Sequence, residues 1–600
     1  MKIWQARIFQ AAVIAVTVTA GVIGASRAHA EESTGGAAKV VPLATGTAPV
    51  SHGARPGEPR TGWNLEDFAL TPIQSQGRIK PFHSFASDAM LSITSSRAYQ
   101  GWRPIDFILN ILAFPDVWKN KPMFRINSQE VLRQFLMDEN THRFSHDDLV
   151  KNTVFLQYAE EQGRRSTPKE GTRQNPRERE LGRVVESLML FRALIDGRAW
   201  SLLPRPSPEA WWSMETAREA QDPDPGRAEI RKQFRTLVQA YFNDDRATFE
   251  SATAEMRKQI ERLTPGFDGS VKRHLAAEAH YHQLQPFKIS WILYLIAALL
   301  WIGQALSKSR HEKLINKIAG GLVAVGFLVH TYGFGLRCYI AGRPPVTNMY
   351  ESVIWVSWGV MLFSFIIHYF QRQVIIVAAA TTLGAFSLIA ADASPVILDP
   401  GITPLVPVLR SNFWLLIHVL TITLGYAAFA LTLGMGNVTL FHYLRGETLG
   451  AKTPGGKAVL AKIPNLNQLT YRAMQFGVVL LAAGTILGGW WADYSWGRFW
   501  GWDPKEVWAL IALLCYLAIL HARFTGWMTQ FGYAAWTVLA FLSVLMAWYG
   551  VNFVLGVGLH SYGFSSGGFT GVVSFVVAQL VYVGAVAAVH HKKLPGLVTK

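Results

Sequence analysis

The chain has 600 residues, half of them hydrophobic, with a formal charge of +16 and a positive mean hydropathy. Long apolar blocks exclude an ordinary soluble protein for the C-terminal half, and the excess of Lys and Arg fits cytoplasmic loops of a membrane protein better than a nucleic-acid footprint. Cys338 and Cys515 stand far apart with no C-x-x-C, which excludes a thioredoxin-like reductant or a c-type cytochrome.

Residues 1–30 open with Lys2 and Arg7, run apolar from Ile8 to Ala25 and end Ala28-His29-Ala30. This reads as a secretory signal peptide, with an uncleaved N-terminal anchor as the alternative. Either sends the following residues out of the cytoplasm. Residues 31–62, rich in Gly, Ala, Pro and Thr, read as a linker.

Residues 63–286 are expected to form an extracytoplasmic soluble domain, mostly helical. The charged, Pro-containing run Arg165–Glu180 predicts an exposed loop, and Pro204–Pro225 is a second break with Trp211 and Trp212 available for packing or docking. From Ala228 to Leu263 apolar residues recur every three or four positions, predicting one or two amphipathic helices. Gly77-Arg78-Ile79-Lys80-Pro81-Phe82 is distinctive without disclosing a chemistry. The Asp, Glu and His residues of this half occur singly and read as surface or satisfied core, not as a catalytic constellation.

Residues 287–592 read as a polytopic transmembrane helix bundle of about 8–9 spans, so the fold class is all-α. Candidate spans lie at 288–306, 318–336, 350–370, 373–391, 413–435, 473–491, 505–523, 531–553 and 570–589. With the N-terminal half outside, three basic segments fall in the cytoplasm: Lys308–Lys317, residues 436–472, and His590-His591-Lys592-Lys593. That distribution obeys the positive-inside rule. The loops 337–349, 391–412, 490–504 and 554–569 are then extracytoplasmic.

One of these outer segments reads Trp490-Trp491-Ala492-Asp493-Tyr494-Ser495-Trp496-Gly497-Arg498-Phe499-Trp500-Gly501-Trp502-Asp503-Pro504-Lys505-Glu506-Val507-Trp508. It holds six of the 21 tryptophans. Trp scattered at span ends makes an interfacial belt. A dense run broken by Gly, Asp and Pro makes a flat platform for a large planar apolar ligand, a quinone or a porphyrin. Histidines separate those two. His418 lies just inside the outer end of its span and His560 in the outer segment Gly558-Leu559-His560-Ser561-Tyr562-Gly563. Two imidazoles at one depth beside an aromatic shelf are what the two axial faces of haem iron require. Ionisable residues within spans are costly and usually have a task. His521, near the inner end of its span, is a candidate inner ligand. His330, deep in the second span, suits either a second inner ligand or a helix–helix hydrogen bond. Asp503 and Arg498 suit either orienting the loop or meeting a propionate.

The run Trp496-Gly497-Arg498-Phe499-Trp500-Gly501-Trp502-Asp503-Pro504-Lys505-Glu506 resembles the tryptophan-rich WWD signature of haem-handling proteins. Its continuation, with Leu520-His521-Ala522-Arg523 behind it, resembles the CcsA (ResC) branch of the cytochrome c biogenesis machinery. So do Gly342-Arg343-Pro344-Pro345-Val346-Thr347-Asn348-Met349-Tyr350-Glu351-Ser352 and the segment around His560; the sister CcmC and CcmF branches fit these motifs less well. The resemblance covers about 288–590, and the soluble half resembles an extension found on some CcsA-like proteins. It implies transport of haem b and its attachment, as part of a haem lyase, to apocytochromes bearing Cys-x-x-Cys-His. His418 and His560 would be external axial ligands and His521 an intramembrane ligand, with Trp490, Trp491, Trp496, Trp500, Trp502 and Asp503 forming the binding platform. It further implies a bacterial inner (plasma) membrane location, a ResB/CcsB-like membrane subunit as partner, and thiol-reducing proteins as further partners. The alternatives are a haem exporter or chaperone without lyase activity, and a cytochrome b-like electron-transfer subunit.

Overall fold

The computed structural model describes residues 57–60, 62–164, 176–205, 210–215, 224–307, 310–404, 412–556 and 568–592. The expected signal peptide, most of the linker, part of each expected break in the soluble half, and His560 lie outside these residues.

Two hydrophobic cores follow one another along the chain. The first is built from residues between Trp63 and Ile260. Its helical pair at 228–263 is two helices, Pro225–Phe242 and Arg246–Leu263. Asp224 caps the first and Asp245 the second, each accepting a backbone N–H of the opening turn. Ile230, Phe234, Leu237 and Tyr241 form one buried stripe; Phe249, Met256 and Ile260 form the facing one. Each such side chain contributes about 1.5–3 kcal/mol on burial. The run expected to be an exposed loop turns helical at its end, because Pro176 opens the helix Pro176–Ile195. Trp211 is buried in this core and Trp212 packs at its edge, so neither is chiefly a docking surface.

Gly77-Arg78-Ile79-Lys80-Pro81 is half of an antiparallel hairpin, Pro72–Ser75 with Arg78–Pro81. Gln76 (φ 51°) and Gly77 (φ 77°) make its two-residue turn, both in the left-handed region that matches strand twist. The buried Lys80 ammonium donates to Asp88 at 2.7 Å.

The second core runs from Tyr281 to Val586. Among the described residues nine helices are long and apolar enough to cross a membrane: Gly269–Ser307, Glu312–Ala341, Met349–Gln371, Val374–Ala393, Leu416–Thr448, Pro454–Trp496, Pro504–Phe524, Gln530–Leu555 and Phe569–His591. These are the nine sequence-predicted spans, and the protein is a multispanning membrane protein. The fifth is central, packing against the third, fourth, sixth, eighth and ninth. Gly425 lets its backbone approach the sixth span, where a Cβ would stand 3.0 Å from the Leu481 amide nitrogen.

The sixth span overruns its predicted limit. Its final helix, Ile463–Trp496, has 34 residues, about 51 Å of rise against a hydrocarbon core of about 30 Å. Trp490, Trp491 and Trp496 are therefore on the last two turns of a helix, not in a loop as expected. The helix stops where Gly497 (φ 68°) adopts the left-handed cap.

The first core sits against the membrane helices at several points. Arg78 pairs with Glu278, Arg97 with Asp392, and Arg179 donates to the Phe553 carbonyl at 3.3 Å.

Candidate functional site

Residues 342–352 join the second span to the third. Gly342 (φ 65°) ends one helix and Asn348 caps the next, its side chain accepting from the Glu351 N–H at 2.8 Å. Glu351, fully buried, accepts from Arg337 Nη2 at 2.9 Å, Arg343 Nη1 at 3.0 Å, and the Thr347 N–H and hydroxyl at 2.9 and 2.7 Å. The two guanidiniums reach on to a neighbouring segment: Arg337 to the carbonyls of Pro400 (2.8 Å) and Gly401 (3.0 Å), Arg343 to that of Thr403 (2.8 Å). Asn348 donates to the Asp399 carbonyl at 3.2 Å. A buried carboxylate can stay charged only with such partners, so this network fixes the path of 343–352.

That path forms one wall of a cleft of about 1040 Å³, counting space that opens to solvent. Val346, Thr347, Asn348, Met349 and Ser352 line this side; His418, Ile422 and Tyr426 line another. Thr485, Gly488, Gly489, Trp491 and Trp500 close a third, and Lys505, Glu506, Trp548 and Asn552 also face it. Its lining is mainly apolar, with a few convergent polar groups, as ligand pockets are.

His418 lies in a five-residue π-helical stretch, Leu415–Val419, and the eighth span ends in another, Met546–Leu555, which carries Trp548 and Asn552. Such widened turns recur at functional sites because they re-aim side chains. His418 Nδ1 is 2.8 Å from the Gly484 carbonyl. Donation there makes Nε2 the nitrogen that carries the lone pair. The Trp491 ring meets the imidazole edge-on at 5.6 Å. Gly488 is required by this approach: a Cβ there would be 2.6 Å from His418 Cε1.

The expected platform residues separate by position. Trp491 is buried and lines the cleft, as does Trp500; Trp490 and Trp502 are exposed, and Trp496 is half-buried on the helix end. Trp500 and Trp502 stand perpendicular at 6.0 Å. Asp503 is the N-cap of the seventh span, paired with Glu506 in a capping box. A single oxygen of Glu506, Oε2, accepts from both the Asp503 N–H of that box at 3.1 Å and the Gly501 N–H at 2.8 Å. Of the two roles open to Asp503, orienting the loop is the one this geometry favours.

Two other histidines lie apart from the cleft. His330 is fully buried, its Nε2 3.2 Å from the Ile354 carbonyl and its Nδ1 3.5 Å from the Tyr294 hydroxyl. His521 is exposed near the C-terminal end of the seventh span, with Nδ1 2.7 Å from the Leu517 carbonyl of its own helix. Arg337, Trp548 and Asn552 were missed by the sequence reading. A guanidinium inside an apolar span was the available signal for the first; nothing in the sequence singled out the others.

Nine spans with an aromatic, histidine-bearing cleft between the third, fifth, sixth, seventh and eighth are thus joined by a specific set of motifs. Residues 346–560, which hold all the lining residues, match the family described as "Cytochrome C assembly protein". The chain belongs to this family, within the CcsA proteins of cytochrome c biogenesis. It is 36% identical to the cytochrome c biogenesis protein CcsA of a Synechococcus species over 270 residues, 41% of this chain and 85% of that protein. Against CcsA of Prochlorococcus marinus the identity is 34% over 318 residues, 47% of this chain and 97% of that protein. Protein NrfI of Wolinella succinogenes is 28% identical over 498 residues, 81% of this chain. The chain spans about half the length of NrfI, 53%.

Proposed function

We propose that this protein carries haem b to the extracytoplasmic face of a bacterial inner membrane and presents it in the cleft for attachment to apocytochromes c. The observation that carries the reading is His418: an imidazole whose Nδ1 is held by the Gly484 carbonyl, set against Trp491 on the wall of an aromatic cleft. That donor set suits haem, which needs a planar apolar bed and an axial nitrogen.

On this reading Trp491 and Trp500 bed the porphyrin and His418 holds one face of the iron. His560 supplies the other face. His521 receives haem on the cytoplasmic side, while His330, with a partner at each ring nitrogen, serves helix packing. The basic loops face the cytoplasm, and the N-terminal domain and the cleft face outward. The apocytochrome's Cys-x-x-Cys-His motif then enters. Each thiol adds across one vinyl double bond, sulfur to the carbon next to the ring and hydrogen to the terminal carbon, without net oxidation. The incoming histidine replaces one of the two protein ligands. The protein contributes positioning, and no side chain is assigned as a general base. A ResB/CcsB-like subunit completes the inner part of the path, and a thiol reductant keeps the incoming cysteines reduced.

The test is absorption spectroscopy of the purified full chain with His418→Ala and His560→Ala singly. Loss or shift of the Soret band in each is expected. Unchanged haem content and spectrum in both would remove the assignment. Incubation with a Cys-x-x-Cys-His peptide separates attachment from carriage, since haem bound but never transferred would leave an exporter or chaperone.

A further inference from the structure

The N-terminal domain lies outside the 346–560 family match, and the proposed function gives it no task. Its hairpin nevertheless reaches the wall of the cleft through an unbroken series of short contacts. Arg78, on the second strand, forms two bonds to Glu278, Nη1 at 2.6 Å and Nη2 at 2.8 Å, so its guanidinium is anchored on the helix leading into the first span. Its remaining Nε donates to the Ile402 carbonyl at 2.8 Å. The hairpin turn touches the same segment, Pro404 standing 3.5 Å from where a Cβ of Gly77 would be.

Residues 399–403 are therefore held from both sides. From the N-terminal domain comes Arg78. From the membrane helices come Arg337 on Pro400 and Gly401, Arg343 on Thr403, and Asn348 on Asp399. The two inner arginines are in turn fixed by Glu351, which also holds Thr347. Thr347 and Asn348 line the cleft. Neighbouring carbonyls at 400–403 thus face three guanidiniums, one of them contributed by a residue 324 positions away in sequence.

We propose that Arg78 is a positioning residue for the cleft: the N-terminal domain clamps residues 399–403 against Arg337 and Arg343, and so sets the wall at Thr347 and Asn348 on which the ligand rests. The inference rests on the cleft being the haem site only for its spectroscopic arm. Arg97 provides a comparison, because it docks the same domain by pairing with Asp392 and reaches Asp399 through its charge rather than by a hydrogen bond.

The experiment compares Arg78→Ala, Arg78→Lys and Arg97→Ala in the full chain by hydrogen-exchange mass spectrometry and by haem absorption. Arg78→Ala is expected to speed exchange in 343–352 and 396–404 by about tenfold, as loss of a charge-assisted bond allows, and to shift the Soret band or lower haem retention. Arg78→Lys keeps the charge but loses the fork that serves two partners, so an intermediate effect is expected; this variant also decides the matter if the alanine variant does not fold. Arg97→Ala should change both readouts less than Arg78→Ala does. Unaltered exchange in those two segments in the Arg78 variants overturns the proposal, and so does an equal effect of Arg97→Ala. If His418→Ala and His560→Ala both leave haem content and spectrum unchanged, the haem reading fails and the exchange measurement alone decides this one.

Discussion

Glu351 is the single residue whose loss the cleft should feel most. Its carboxylate and the Arg337 guanidinium are both fully buried, and Arg343 nearly so. Replacing Glu351 with Gln keeps the shape but leaves two guanidiniums facing each other with no counter-charge. Breaking a buried pair by removing one partner costs ~3–5 kcal/mol, a large part of the ~5–15 kcal/mol that holds a typical domain together. Thermal unfolding of the detergent-solubilised full chain, followed by tryptophan fluorescence, should shift down by on the order of 5–10 °C. The double variant Arg337→Met, Glu351→Gln removes one charge of each sign, so it should be less destabilised than the single. A Glu351→Gln variant that unfolds within about 1 °C of the parent would refute the argument, as would a double variant at least as destabilised as that single one.

Other outcomes follow from the same geometry. Gly488→Ala puts a methyl 2.6 Å from His418 Cε1 and should weaken haem retention as much as His418→Ala does, with folded protein still recovered; titration of the purified variant with haem reads this. Asp503→Ala removes the seventh span's capping box, about 1 kcal/mol, and should lower cytochrome c yield by loosening Trp500, measured by haem staining of a co-expressed cytochrome. Burial holds the His83 imidazole below its ordinary 6.5, outweighing the pull of Asp88 and Glu278. The unfolded chain then takes the proton first, so this contribution is complete above pH 6.5 and is lost as pH falls through the folded value. The parent's unfolding temperature should therefore fall more steeply on acidification than that of His83→Phe.

The spans were legible because apolar blocks near 20 residues have no other stable home. Their ends were less so: hydropathy drops at Trp490, yet the helix runs to Gly497, because intrahelical hydrogen bonds do not depend on the lipid. Residues 342–352 could be seen as a motif, but not why Glu351 is in it, since its partner Arg337, and the 400–403 carbonyls that Arg337 and Arg343 go on to hold, come from elsewhere in the chain. The hairpin at 72–81 was visible only as an odd string, because Arg78 acts on residues 200 and 324 positions away. The π-helical turns that re-aim His418 and Trp548 leave no mark in the periodicity of short apolar runs.

The segment 497–503 is closed at both ends by its own neighbours. Gly497 terminates one helix with a bond to the Asp493 carbonyl, and Glu506 reaches back to hold the amides of 501 and 503 before the next helix has completed a turn. Trp500 faces the cleft and Trp502 faces away from a backbone with no slack to redistribute. Spacing here is thus as much a specification as composition. One residue inserted between Gly497 and Asp503 would preserve every tryptophan and both caps, yet turn the wrong ring inward.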